Sequence, residues 1–126
     1  MPSVARRILI VDDHDRIRVR VRAMLAEIWP QAIFAEASTA STGSRLAIAE
    51  VWDLVIVDLR LADGSGLSVV RNLAAGRPTI PVIVLSALPR DPYEAAALEA
   101  GALAFIPKQD AAEQLAATAR ALVENT

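Results

Sequence analysis

Five polar side chains stand where predicted strands of this sequence end. Asp12 and Asp13 follow one buried apolar run, and Asp58 follows another. Ser86 ends a later run, and Lys108 lies just past the last one. Open parallel sheets bind their ligands beyond the carboxyl ends of the strands. If these strands are neighbours, we expect the five side chains to converge in one cleft.

Such a cleft suits the binding of a hard cation and the transfer of a phosphoryl group. Carboxylate oxygens are ligands that Mg²⁺ accepts, and a metal together with a lysine ammonium keeps close carboxylates ionised. Phosphoryl transfer needs an in-line nucleophile and positive charge on the equatorial oxygens. We therefore predict that Asp58 is a nucleophile that forms an acyl phosphate. Lys108 is predicted to neutralise one phosphoryl oxygen, and the Ser86 hydroxyl to hydrogen-bond another.

The predicted cation is Mg²⁺, and its ligands come from two strand ends. The carboxylates of Asp12, Asp13 and Asp58 supply side-chain oxygens, and the backbone carbonyl of Arg60 completes the set. Taken singly, an acid in the first pair also suits the cap of the following helix. His14 is interpreted as a surface residue at that helix start, rather than as a metal ligand or phosphodonor.

Strand and helix patterns alternate along the whole chain. Short apolar runs predict strands at residues 7–12, 32–35, 54–58, 81–86 and 103–106. Helices are predicted between Asp15 and Pro30 and at residues 38–50, 67–75, 91–100 and 110–124, with a loop over 59–66. This alternation predicts an α/β fold with a doubly wound parallel sheet and helices on both faces.

Helix starts and packing residues are predicted from local patterns. Asp15 is a plausible N-cap of the first helix, Ser38 or Thr39 of the second, and Asp110 of the fifth. Trp29 and Trp52 are expected to be packing residues away from the chemistry.

Composition excludes several classes of protein. The 126 residues, with 54% hydrophobic residues and no cysteine, fit one domain spanning 1–126 without disulfides or thiolate metal sites. The longest apolar stretch, residues 80–89, is too short to cross a bilayer, so we expect a soluble cytoplasmic protein. The arginines at 16, 18, 20 and 22 are expected on a solvated helix face, because the net charge is −2 and no DNA-reading motif is present.

Four motifs in register resemble the response-regulator receiver family of two-component signalling. They are Ile-Leu-Ile-Val-Asp12-Asp13-His14, Val-Ile-Val-Asp58-Leu-Arg-Leu with Gly66 downstream, Val-Leu-Ser86-Ala87, and Phe105-Ile-Pro-Lys108. The resemblance covers essentially the whole chain. Within the family, the sequence looks like receivers that carry a helix-turn-helix domain. The resemblance implies a flavodoxin-like fold with sheet order 2-1-3-4-5.

The resemblance also implies a signalling function. Asp58 matches the phosphoacceptor, which takes its phosphoryl group from a histidine kinase or phosphotransfer protein. Ser86, Ala87 and Phe105 match the switch positions that reshape the face made by helix 4, strand 5 and helix 5. That face then binds a homodimer partner or an output partner, possibilities that the sequence leaves open. The implied chemistry is limited to the domain's own phosphorylation and dephosphorylation, with no membrane or direct nucleic-acid contact.

Several positions depart from the family pattern. Ala62 stands where a proline is frequent, so we expect a more flexible loop after Asp58. Gln109 follows Lys108 where a cis-proline is frequent, which leaves the geometry of the Lys108–Gln109 peptide open. Arg60 and Leu88 occupy positions that resemble those tuning the dephosphorylation rate in the family. The residue types alone do not say whether they speed or slow it.

One alternative function remains open from the sequence, a receiver-fold module that binds a partner without phosphorylation. Loss of an acid or of Lys108 would have favoured it, and all of them are retained. Two enzyme classes fit poorly. A flavodoxin needs a Ser/Thr-rich phosphate loop after strand one, and a haloacid-dehalogenase-type phosphatase needs Asp-x-Asp there. The cognate kinase, the output and the oligomeric state are not specified.

Overall fold

Five short apolar segments form one parallel sheet in the computed structural model, which describes residues 5–124. The strands are β1 (Arg7–Val11), β2 (Ile33–Ala37), β3 (Leu54–Val57), β4 (Val82–Ser86) and β5 (Ala104–Pro107). Their order across the sheet is β2-β1-β3-β4-β5, and every pairing is parallel. The predicted α/β class and the 2-1-3-4-5 order are therefore confirmed.

Helices cover both faces of this sheet. They are α1 (Asp15–Ile28), α2 (Ala40–Ala49), α3 (Leu67–Gly76), α4 (Arg90–Ala100) and α5 (Ala111–Glu124), and a 3₁₀ turn (Lys108–Asp110) precedes α5. α2, α3 and α4 pack side by side on one face, whereas α1 and α5 pack together on the other. Right-handed crossovers between parallel strands produce this two-sided arrangement.

The central strands β1 and β3 are buried on both faces, and their side chains alternate between two cores. Leu9 and Val55 belong to the core under α2 and α3, whereas Ile10 and Ile56 belong to the core under α1 and α5. Continuous β-branched and leucine runs are typical of such doubly covered strands. This burial fixes the strands, and with them the polar residues that follow.

The start of α1 differs from the local prediction, whereas the start of α2 agrees with it. Asp15 is not the N-cap of α1, because His14 holds that position in an extended conformation and Asp15 is the first helical residue. The Asp15 carboxylate pairs instead with Arg18, one turn along the helix. At α2 the cap is Thr39, whose side chain accepts a hydrogen bond from the Thr42 amide at 3.1 Å.

The segment after Asp58 is more ordered than the predicted loop. Arg60–Leu61 pairs with Gly64–Ser65 as a short antiparallel hairpin. The amide of Gly66 then donates to the Leu59 carbonyl at 2.8 Å, which closes the segment before α3 begins. Within the described residues, the helices are all too short or too polar to span a membrane.

Candidate functional site

The carboxyl ends of β1 and β3 bring two carboxylates to the same level of the sheet. Asp12 and Asp58 each follow the last residue of their strand. The Asp12 amide donates to the Ala37 carbonyl at 3.0 Å, and the Asp58 amide donates to the Val11 carbonyl at 2.9 Å. The strand pairing thus continues one residue past each strand and holds both acids rigidly, with about 2% of each residue exposed.

Lys108 bridges these two acids from the end of β5. Its Nζ lies 2.9 Å from Asp58 Oδ2 and 3.0 Å from Asp12 Oδ2. The lysine side chain is itself only 12% exposed. Hydrogen bonds to buried ionised groups are stronger than neutral ones, so this contact ties the edges of the cleft together across 50 residues of chain.

Burial and pairing act in opposite directions on the charges of this pair. Burial is the largest effect on Asp58 and raises the pKa of its carboxyl, and the neighbouring Asp12 charge adds to the rise, while Lys108 opposes it. Burial by itself lowers the pKa of Lys108, but its bonds to Asp58 and Asp12 outweigh that effect, so the pKa is raised. The site therefore favours the charged form of Lys108, whereas burial disfavours the charged form of the Asp58 carboxyl.

Asp13 and His14 complete an acidic cluster at the mouth of the cleft. One ligand atom from each of Asp12, Asp13, His14 and Asp58 lies within 4.8 Å of the others. Asp13 Oδ1 is buried and has no hydrogen-bond partner among residues 5–124. A buried carboxylate oxygen without a partner is costly, and hard cations bind such oxygens. The donor set therefore fits a divalent cation.

His14 is exposed at the start of α1, as the sequence predicts, and it also contacts the acid pair. Its side chain is 61% exposed, as a surface residue would be, but its Nδ1 lies 2.9 Å from Asp12 Oδ1 and 3.1 Å from Asp13 Oδ1. The Asp12 carboxylate also accepts the His14 backbone amide at 2.8 Å, which turns the chain back over the strand end. Sequence alone gives only adjacency to the acid pair as a signal for this placement.

Arg60 and Ala87 line the same cleft as the acids and Lys108. The Arg60 backbone amide donates to Asp58 Oδ1 at 3.3 Å, while its side chain is exposed. The Lys108–Gln109 peptide, left open by the sequence, is not cis, because among the described residues only Asp91–Pro92 is cis.

Ser86 and Phe105 lie on the two neighbouring strands at the far side of the cleft. Ser86 is fully buried at the end of β4, and its hydroxyl oxygen accepts the Leu88 amide at 3.0 Å. It lies opposite Pro107 in the ladder, next to Lys108. Phe105 is buried in the core beneath α4, with about 5% exposed. The hydroxyl is thus carried by β4, which pairs with β3, and the aromatic ring by β5, which pairs with β4.

Asp63 has a structural part that the sequence did not indicate. It lies between the two strands of the hairpin, and its carboxylate accepts the amides of Ala40 and Ser41 at 2.7 and 3.1 Å. These backbone bonds lower the pKa of Asp63. They tie the segment after Asp58 to the start of α2. The carboxylate also places a negative charge at the N-terminus of that helix, where it is favourable.

The two tryptophans lie away from the acidic cleft, as the sequence predicts. The indole of Trp29 donates to Glu124, and that of Trp52 donates to the Leu46 carbonyl. On α1, Arg18 and Arg22 both bind Glu36. Both arginines are engaged in ion pairs, so they do not form a free basic surface. Arg18 does not lie on a solvated face as predicted, because its side chain is only 14% exposed and also donates to the Asp12 carbonyl at 2.6 Å.

Known proteins with similar sequences were identified by comparison. A family model described as the response regulator receiver domain matches residues 8–120. The response regulator GacA of Pseudomonas aeruginosa is 29% identical over 109 residues, 86% of this chain and 51% of that protein. The transcriptional regulatory protein LiaR of Bacillus subtilis is 30% identical over 115 residues, 91% of this chain and 54% of that protein. This chain spans about half the length of these curated relatives.

A solved structure agrees with the fold over nearly the whole length. It is the BeF3-activated receiver domain of DrrB, a protein of Thermotoga maritima. At 27% sequence identity its TM-score is 0.85, and the alignment covers 96% of this chain and 99% of that chain.

Proposed function

Because this chain belongs to the response regulator receiver domain family, we propose that Asp58 accepts a phosphoryl group from a histidine kinase or a phosphotransfer protein. The observation that carries the proposal is the contact of one partly buried lysine with two buried strand-end acids, at 2.9 and 3.0 Å. In the transfer, an Asp58 oxygen forms a bond to phosphorus while the phosphorus–nitrogen bond of the donor phosphohistidine breaks. The donor imidazole leaves with the bonding electron pair and takes up a proton.

Each side chain of the cleft has a separate part in this reaction. The Lys108 ammonium donates to Asp58 Oδ2 and, as the transfer proceeds, neutralises a phosphoryl oxygen. Ser86 supplies a hydroxyl from β4, and the Arg60 amide holds the other Asp58 oxygen. Lys108 opposes the rise that burial causes in the pKa of Asp58, which keeps the nucleophile available as carboxylate.

We propose Mg²⁺ as the cation of the acidic cluster. Asp12, Asp13 and Asp58 would hold it, with the Arg60 backbone carbonyl as a further ligand. When bound, Mg²⁺ neutralises charge on the transferring phosphoryl group. The fit is supported by the buried Asp13 Oδ1, which has no hydrogen-bond partner among the described residues. It is also supported by the excess of three carboxylates over one lysine, which contacts only two of them.

The proposed output is a change in the surface made by α4, β5 and α5. Ser86, Ala87 and Phe105 link the cleft to that surface, because Ser86 and Phe105 lie on adjacent strands and Phe105 packs under α4. Tyr93 is partly exposed on α4 and belongs to the same surface. A homodimer partner or an output domain would bind there, as in the helix-turn-helix type of regulator that the family resemblance suggests.

The remaining expectations follow from this signalling role. The chain acts in the cytoplasm as a phosphoacceptor whose chemistry is confined to its own phosphorylation and dephosphorylation. It binds protein partners and makes no direct contact with nucleic acid or membrane. The pairing of Arg18 and Arg22 with Glu36 supports this, since it leaves less free positive charge on α1.

The proposal is tested by incubating the protein with acetyl phosphate and Mg²⁺, followed by intact mass spectrometry. We expect one phosphoryl adduct on the wild type and none on Asp58→Ala. In a parallel NMR experiment with Mg²⁺ and beryllofluoride, shifts should extend from Ser86 to Phe105 and α4. Ser86→Ala should keep the adduct but lose the shifts at Phe105. Absence of both adduct and shifts would favour a module that binds its partner without phosphorylation.

A further inference from the structure

We propose that the His14 imidazole is itself a ligand of the cation in the acidic cluster, so that the pocket binds nitrogen-preferring metals such as Zn²⁺ as well as Mg²⁺. The inference rests on one part of the proposed function, namely that Asp12, Asp13 and Asp58 hold a divalent cation. It adds a ligand beyond the carboxylates and a selectivity that carboxylates alone would not give.

The distances around His14 Nδ1 suit a ligand atom. Nδ1 lies 2.9 Å from Asp12 Oδ1, 3.1 Å from Asp13 Oδ1 and 3.9 Å from Asp58 Oδ2. In an octahedral site with bonds of about 2.1 Å, adjacent ligand atoms are about 3.0 Å apart and opposite ones about 4.2 Å. The first two distances match adjacent ligands, and the third lies nearer to an opposite pair.

A hydrogen bond explains only part of this arrangement. Nδ1 and Asp12 Oδ1 are placed to hydrogen-bond, and Lys108 Nζ lies 3.5 Å from the same Nδ1. Asp13 Oδ1 still has no hydrogen-bond partner among the described residues, although the same Nδ1 is 3.1 Å away. A cation between these atoms satisfies both carboxylate oxygens and the imidazole together.

The backbone holds the ring at this position without help from the core. Asp12 Oδ1 accepts the His14 amide at 2.8 Å, and Arg18 donates to the Asp12 carbonyl at 2.6 Å. The turn directs His14 over the pocket. Since 61% of its side chain is exposed, the ring has little packing to lose when it is removed. A variant at this position therefore reports on the pocket rather than on folding.

The selectivity follows from ligand chemistry. Imidazole suits Zn²⁺, Cu²⁺ and Ni²⁺, whereas carboxylate and water suit Mg²⁺. His14 should therefore add much to the affinity for Zn²⁺ and little to that for Mg²⁺. Asp15→Asn is a matched control, because this carboxylate is adjacent in sequence but 88% exposed and outside the cluster.

The chain contains one histidine, which makes the test direct. Tag-free, ¹⁵N-labelled protein is titrated separately with Zn²⁺ and Mg²⁺ in wild-type, His14→Ala and Asp15→Asn forms. Dissociation constants come from competition with a chelating dye. We expect Zn²⁺ to move the Nδ1 resonance of the wild type, and His14→Ala to weaken Zn²⁺ binding by about tenfold or more. Mg²⁺ binding should change by less than about twofold, and Asp15→Asn should match the wild type.

The failures of the two ideas are distinguishable. If Mg²⁺ binds and Zn²⁺ binds equally well to wild type and His14→Ala, the imidazole is not a ligand and this inference is overturned, while the proposed function stands. An unmoved Nδ1 resonance at saturating Zn²⁺ has the same meaning. If neither cation binds the wild type, the cation site of the proposed function fails and the inference fails with it.

Discussion

Lys108 Nζ lies 2.9 Å from Asp58 Oδ2, and this contact joins the end of β5 to the end of β3. The same ammonium reaches Asp12 Oδ2 at 3.0 Å. One lysine thus faces two buried carboxylates, with Asp13 beside them at the mouth of the cleft. The contacts leave the cleft with more negative than positive charge, which is the imbalance that a divalent cation relieves.

Replacing Lys108 by Met should raise the pKa of Asp58 further. Burial already raises this pKa, and Lys108 is the side chain that opposes the rise. We also expect adduct formation from acetyl phosphate to slow by roughly a hundredfold, since a charged donor is lost from the reacting oxygens. The carboxyl ¹³C shift of Asp58 followed against pH measures the first effect. An unchanged or lower pKa in the variant would show that the lysine does not control the charge of Asp58.

Replacing Asp58 by Asn should stabilise the fold at neutral pH. Because the pKa of Asp58 is raised on folding, the native state binds more protons than the unfolded state between the two pKa values. The free energy of unfolding therefore falls as pH rises through that interval and stays lower above it. We expect the variant to gain on the order of 1 kcal/mol at pH 7, and the gain to shrink below about pH 4.

Urea denaturation of both proteins at several pH values measures this difference. The single lysine of the chain offers a second readout. Its raised pKa depends on hydrogen bonds to Asp58 and Asp12, so it should fall in Asp58→Asn. A variant less stable than the wild type at pH 7 would mean that the lysine contact outweighs the burial of the charge.

Asp63→Ala should loosen the segment that follows the phosphoacceptor. The Asp63 carboxylate accepts hydrogen bonds from the amides of Ala40 and Ser41, and these bonds lower its pKa. Its stabilising effect is therefore fully present above the pKa of the unfolded state. The effect is lost as the pH falls through the pKa of the folded state. Hydrogen exchange at these two amides should speed up in the variant at pH 7. Asp63→Asn keeps an oxygen acceptor and should retain part of the protection. Equal exchange rates in all three proteins would show that the Asp63 carboxylate does not hold this segment to the start of α2.

The parts of this structure that the sequence predicts are those that depend on local periodicity and on strand order. Leu54–Val57 is a continuous apolar run and is a fully buried strand. The meeting of Lys108 with Asp58 also follows, because parallel strands end at one edge of the sheet. Contacts over 50 residues are thus predictable when the fold alone creates them.

The features that sequence patterns missed depend on individual side-chain contacts. The bond of Asp63 to Ala40 crosses 23 residues and has no periodic signal. Asp15 is a residue type that suits an N-cap, but its carboxylate pairs with Arg18. The turn before α1 is held instead by Asp12, whose carboxylate accepts the His14 amide. The sequence predicts a surface position for His14, and its exposure agrees with this, but its contacts with the Asp12 and Asp13 carboxylates have no signal in the sequence pattern. In each case a nearby polar partner decided between two acceptable roles.

Gly66→Ala should disrupt the site through lack of space. Gly66 has ordinary helical angles, φ −63° and ψ −16°, so backbone conformation does not require glycine. A Cβ there would lie 1.9 Å from the Asp58 carbonyl oxygen and 2.8 Å from a Val57 methyl. Because the backbone oxygen cannot move alone, the segment that carries Asp58 must shift. We expect the free energy of unfolding to fall by about 1–3 kcal/mol, and the phosphoryl adduct to be reduced or lost.

Gly76→Ala is the matched control for this prediction. Its Cβ would meet only the end of the Ile48 side chain at 3.0 Å, and that flexible group can give way. Alanine also has the higher helix propensity, so this variant should range from neutral to about 1 kcal/mol more stable. Urea denaturation and the acetyl phosphate assay on both variants provide the comparison. If Gly66→Ala were as stable and as reactive as Gly76→Ala, close packing against the Asp58 carbonyl would not be what requires glycine at this position.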